Sequence, residues 1–151
     1  MDANLRELYQ EIILDHSRHP RHFGALANAN HVAEGFNPLC GDRVKVYLKV
    51  DDENRILDAA FEGRGCAISV ASASLMSEML SGRTVDEAER LMSGFLELVK
   101  GEKAEGLGRD DRETLEVMAG VSAFPMRVKC ATLAWHAMKS ALEGGAIAKT
   151  E

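Results

Sequence analysis

Three isolated cysteines, Cys40, Cys66 and Cys130, together with Asp42, are the side chains of this 151-residue chain best suited to chemistry. Each cysteine falls where a regular element starts or stops, a position that serves chemistry more than packing. Three thiolates and one carboxylate can complete the tetrahedral shell of a zinc ion. Gly41 permits the backbone to turn between Cys40 and Asp42, so that both side chains can reach one ion. A helix N-terminus offers free N–H donors and partial positive charge, which lowers a thiol pKa. Cys66, close to Arg64, and Cys130, flanked by Arg127 and Lys129, are both expected at such positions and therefore as thiolates. Spacing alone leaves other readings open. Cys-x-Asp is a short pattern, and Asp42 is equally an ordinary loop carboxylate or cap. Any one cysteine, taken singly, is equally a buried inert thiol.

The histidines point less clearly. His16, His19 and His22 recur every third residue, but Pro20 interrupts them and the segment is expected as a solvated polar loop. His136 is expected at a surface or boundary, and nothing in the sequence requires His31 to approach the Cys40 loop. Walker A, GxGxxG, HExxH and GxSxG patterns are absent, which removes support for phosphate-loop, dinucleotide, zincin and serine-hydrolase chemistry.

The elements that must position these residues follow from periodicity. Leu5, Leu8, Tyr9, Ile12 and Ile13 give one apolar stripe and predict a helix over 4–14. A short strand is expected from His31 to Phe36, ended by Asn37-Pro38. Residues 43–50 alternate, with Val44, Val46, Leu48 and Val50 inward, and the chain returns over 55–62 with Leu57, Ala59 and Phe61 on one face. An antiparallel hairpin brings its two ends together, which sets the Cys40–Asp42 loop beside Gly63–Cys66. Cys66 should open a helix ended by Gly82. Thr84 and Glu87 form a capping-box signal for the next helix. Residues 100–112 read as a solvated excursion. A short helix is expected around 112–120, then a last helix from about 126 to 143, closed by Gly144-Gly145.

Bulk properties bound the function. The length and a hydrophobic content of 46% fit one domain over 1–151. A net charge of -6 without a basic block argues against nucleic acid and anionic membranes as partners. No apolar run is long enough for a membrane span, and the N-terminal residues lack the apolar core of a signal peptide, so a cytoplasmic location is expected. An odd, widely spaced set of cysteines is not a disulfide framework.

The segment EGFNPLCGD, residues 34–42, resembles the N-P-x-C-G-D motif of the U-type iron–sulfur cluster assembly family (IscU/NifU N-terminal-like). GRGCAIS, residues 63–69, is similar to the family's G-x-G-C-A-I-S motif, and Leu8-Tyr9 through Asp15-His16 and His19-Pro20-Arg21 also match. The resemblance implies an α+β fold, SufE/IscU-like, with a small three-stranded antiparallel sheet against about five helices. It implies zinc, or alternatively a [2Fe–2S] cluster, on Cys40, Asp42, Cys66 and Cys130. In the family's scaffold branch a histidine precedes the third cysteine; here that residue is Lys129. That difference, and the longer stretch between Cys66 and Cys130, resemble the SufU branch. Membership there implies a zinc-dependent sulfurtransferase-type relay, rather than a stand-alone enzyme, that takes persulfide sulfur from a SufS-like cysteine desulfurase. Cys40 would be the acceptor, freed by ligand exchange at the metal, and Arg127 would help engage the desulfurase. Downstream scaffold or apo-acceptor proteins would receive the sulfur.

Overall fold

The structure, a computed structural model, describes residues 3–145 and 147–149. Strands β1 (His31–Asn37), β2 (Asp42–Val50) and β3 (Ile56–Arg64) form an antiparallel meander. Against it stand helices α1 (Ala3–Arg18), α2 (Ala67–Leu80), α3 (Val85–Val99), α4 (Arg109–Leu115) and α5 (Pro125–Leu142), with a 3-10 segment at Glu116–Ala123. The expected α+β architecture is therefore present. The sheet gains one element, β4 (Ile147–Lys149), which pairs parallel to β1 and makes the order β3-β2-β1-β4. Three residues are too few to carry a period, so periodicity left no sign of it.

The inward face of β2 is buried at Val44, Val46, Leu48 and Val50, as its alternation requires. Tyr47, expected outward, is buried on the other face, where its hydroxyl bonds Glu62; burial, then Glu62, raises its pKa to about 12. A register shift between Lys49 and Val50 sets Ile56 opposite Val50. The bulge flips the start of β3, so Ile56 is fully buried while Leu57, expected inward, is 52% exposed.

Helix α2 is buried around most of its circumference, from Ala71 to Ser77, because α1 and α5 both pack on it. Its serines survive burial through hydrogen bonds. Ser72 Oγ donates to the Ala131 carbonyl at 2.5 Å and accepts from Trp135 Nε1 at 3.2 Å. Helix α1 runs past the expected end to Arg18, and His16 lies within it rather than in a polar loop. His16 is buried with Nδ1 2.7 Å from Ser74 Oγ, and burial lowers its pKa. His19 and His22 are exposed, as expected.

Thr84 and Glu87 form the capping box at the start of α3. The 100–112 excursion is anchored rather than freely solvated. Ala104 and Leu107 are buried, α4 begins at Arg109, and Arg83 grips Asp111 with bonds of 2.7 and 3.0 Å. Leu107 reaches the core because Gly94 leaves room: a Cβ there would lie 2.3 Å from Leu107 Cγ. No helix among the described residues is long and apolar enough to cross a membrane.

Candidate metal centre

Register brings the centre together. In β2–β3, Arg43 pairs with Arg64, which sets the Cys40–Asp42 turn beside Gly63–Cys66 as the hairpin predicts. In β1–β2, Asn37 pairs with Asp42. Helix α5 packs on both strands and supplies Cys130 from above. The Cys40 sulfur, a carboxylate oxygen of Asp42 and the Cys130 sulfur lie within 4.8 Å of one another. Cys40 is half-buried, whereas Asp42 and Cys130 are buried. The half-buried Cys66 is not part of that 4.8 Å group, though its thiol is among the neighbours acting on Cys130. Gly41 turns the chain at φ +70 with open space around it, the role its sequence position implies.

Asp42 is held from two sides. Its Oδ1 accepts the Cys66 N–H at 2.9 Å, and its Oδ2 accepts Asn37 Nδ2 at 3.3 Å. Cys66 is the N-cap of α2 and makes no side-chain cap bond; Asp42 instead accepts the cap residue's own N–H, as the carboxylate of a capping box does. The two readings of Asp42, cap and ligand, are thus compatible. Gly65, at φ +154, makes this possible, since a Cβ there would lie 2.2 Å from Asp42 Oδ1.

Cys130 departs from its expected setting. It is the sixth residue of α5, beyond the free N–H groups of the first turn. Its sulfur lies 3.5 Å from the Met126 carbonyl, to which the thiol donates. Burial, then Asp42, Cys40 and Cys66, push this thiol pKa far above the ordinary range. Desolvation and nearby acids outweigh the helix dipole here. Arg127 is exposed, and the Cys130 sulfur, followed by Cys66, raises its pKa. Lys129 is half-buried in α5 directly before Cys130. His31 lies at the far end of β1, opposite Leu48, with Nδ1 2.9 Å from the Ala141 carbonyl, and takes no part in the centre. His136 is half-buried, at the boundary where it was expected.

From the sequence Asn37 is the end of a strand and the first residue of the N-P-x-C-G-D motif, with no role of its own. It is fully buried, and its Nδ2 also donates to Cys130 Sγ at 3.5 Å. The available signal was its polarity at an inward position of β1, in step with Ala33 and Gly35.

The donor set fits a metal. Acidic groups this close in a largely buried place need protons or a cation between them. Thiolates with one carboxylate suit zinc, and thiolates equally suit an iron–sulfur cluster. Beside the centre, Phe36, Asn37, Pro38, Gly41, Asp42, Arg43 and Arg64 line an open cavity of about 370 Å3.

An α+β domain with two thiols and a carboxylate gathered at one end of its sheet has a donor set suited to a thiolate-bound metal. The NifU-like N-terminal domain model matches residues 8–131, and the chain belongs to that family. It is 40% identical over 147 residues to the zinc-dependent sulfurtransferase SufU of Bacillus subtilis (strain 168), covering 95% of this chain and 97% of that protein. It is also 40% identical over 147 residues to the iron–sulfur cluster assembly scaffold protein IscU of Streptococcus pyogenes serotype M1, covering 97% of this chain and 90% of that one. The crystal structure of a protein assigned as an iron–sulfur cluster assembly scaffold of the SUF system of Fervidobacterium islandicum AW-1 superposes with a TM-score of 0.81. That protein is 35% identical, with 93% of this chain and 99% of that chain covered.

Proposed function

We propose that this chain accepts persulfide sulfur from a cysteine desulfurase at Cys40, in a zinc centre held by Cys40, Asp42, Cys66 and Cys130. The observation that carries this reading is the meeting of Cys40, Asp42 and Cys130 within 4.8 Å. The Bacillus relative named a zinc-dependent sulfurtransferase supports it. Zinc, when bound, supplies the positive charge that keeps thiol ligands deprotonated at neutral pH.

The chain's own residues divide the remaining work. Cys40 is half-buried, as Cys66 is, but it lies on the Gly41 turn beside Asp42 and Cys130, where a partner can reach it. Its thiolate attacks the outer sulfur of the desulfurase persulfide. A new S–S bond forms at Cys40 as the enzyme's S–S bond breaks, and the enzyme's cysteine departs as thiolate. The step exchanges sulfur with no net oxidation or reduction. Asp42 fixes the start of α2 through the Cys66 N–H, which keeps Cys40 and Cys66 in register. Arg127, exposed beside Cys130, offers a cation to the approaching desulfurase. Lys129, where the scaffold branch carries histidine, leaves that position without an imidazole beside Cys130.

On this reading residues 1–151 act as one cytoplasmic domain, a relay that passes sulfur to scaffold or apo-acceptor proteins. A second reading, a scaffold building a [2Fe–2S] cluster on the same ligands, draws support from the equal identity to the Streptococcus relative named as such. Anaerobic incubation with iron and sulfide separates them. The relay predicts that zinc-loaded protein takes up persulfide and forms no transferable cluster. The scaffold predicts a stable coloured cluster that passes to an apo-acceptor.

A further inference from the structure

The Asn37 amide is a buried polar group for which neither core packing nor strand pairing has a use. It sits at the end of β1 opposite Asp42, fully buried, and its inward neighbours on the strand are Ala33 and Gly35. Nδ2 donates to Asp42 Oδ2 at 3.3 Å and to Cys130 Sγ at 3.5 Å. Oδ1 has no hydrogen-bond partner and is the one buried side-chain nitrogen or oxygen so placed among the described residues. The orientation is dictated by its partners. Turned over, the amide would aim its oxygen at a carboxylate and a sulfur, both acceptors when ionised. An unpartnered buried oxygen is tolerated where the amino end of the same group gains charge-assisted bonds.

We propose that Asn37 is a positioning residue of the metal centre. Its amide ties the Asp42 carboxylate to the Cys130 sulfur and keeps Cys130 a held ligand while Cys40 exchanges sulfur. The inference rests on the reading of this cluster as a metal centre with Cys40 as acceptor. An N–H bond to a thiolate draws charge from sulfur and lowers its nucleophilicity. Cys130 receives that bond and is fully buried, whereas Cys40 is half-exposed on the Gly41 turn. Two thiols of one centre thereby acquire different duties, one anchoring and one reacting.

The test uses Asn37→Leu, which removes the amide at similar volume, and Asn37→Asp, which keeps its shape but offers only acceptors. Zinc affinity, read by competition with a chromogenic chelator, is expected to fall about 10–100-fold, the usual effect of losing a partner that orients a metal ligand. Iodoacetamide mapping of zinc-loaded protein is expected to modify Cys40 first in the unaltered chain and to reach Cys130 in the variants. Unchanged zinc affinity with Cys130 still protected in both folded variants overturns the proposal. A measurement on the unaltered chain is independent of variant folding: the Asn37 side-chain amide resonances should shift when zinc is added, and unmoved resonances overturn the proposal. Absence of sulfur uptake at Cys40 would defeat the functional reading while leaving zinc affinity and Cys130 protection as measured.

Discussion

The Asp42 carboxylate accepts the backbone N–H of Cys66 at 2.9 Å, so one proposed ligand caps the helix that starts at another. Asp42→Ala should therefore show two separable effects. The metal-free protein should lose about 1–3 kcal/mol, the usual worth of a hydrogen bond to a charged group, in denaturant unfolding. Zinc affinity should fall as well. Asp42→Asn leaves an acceptor for the Cys66 N–H and should restore most of the stability but not the affinity. Zinc binding by Asp42→Ala equal to that of the unaltered chain would remove Asp42 from the ligand set.

Gly65 and Gly82 form a matched pair. Both have positive φ, but a Cβ at Gly65 would meet Asp42 Oδ1 at 2.2 Å, whereas nothing lies within 4 Å of one at Gly82. Gly82→Ala should cost about 1–2 kcal/mol from backbone strain and leave zinc binding unchanged. Gly65→Ala should destabilise more and should also displace the carboxylate, which weakens zinc. Denaturant midpoints and chelator competition on both variants check this; equal zinc affinity in the two would contradict it.

Acid sensitivity should arise partly at His16. Burial, then Arg21, lowers its folded pKa, opposed by Glu78 and Asp15. The unfolded chain then takes up this proton first as pH falls. The stabilisation is present above the unfolded value of about 6.5 and is lost as pH drops through the lower folded value. In metal-free protein, His16→Gln should flatten the fall in unfolding free energy from pH 7 to 5. The same slope in both proteins would show that His16 contributes nothing to it.

The Arg83–Asp111 pair should act locally. Both side chains are about a quarter exposed, at 29% and 25%, and the two bonds are bidentate. Arg83→Ala should cost about 1 kcal/mol. It should also raise amide exchange across 100–108 while α2 and α5 stay protected. Exchange unchanged in that segment would show that Leu107 alone secures it.

Much of this site was legible in the sequence because most of its proposed ligands sit at punctuation: the Gly41 turn, the hairpin ends, the start of the helix after Cys66. Strand pairing turns those local signals into proximity, and the family motifs supply the rest. What stayed hidden depends on contacts between elements. The setting of Cys130 turns on one further helical turn, which takes it from the free N–H groups into the core. Asn37 stands in the family motif and ends a strand, but its contact with the site shows only once its register with Asp42 is known. Ile56 replaces Leu57 in the core because of a bulge that leaves no mark on the alternation. His16 reads as polar loop because Pro20 stops the helix only after Arg18, and its partner Ser74 is 58 residues away.

The proposed relay stands or falls on whether Cys40 receives sulfur in a zinc-holding centre. The most direct measurement is transfer of 35S from labelled cysteine through a cysteine desulfurase to zinc-loaded protein, with the labelled residue located by mass spectrometry. A persulfide is expected on Cys40 in the unaltered chain and none on the chain in Cys40→Ala. Undiminished transfer to Cys40→Ala would contradict it.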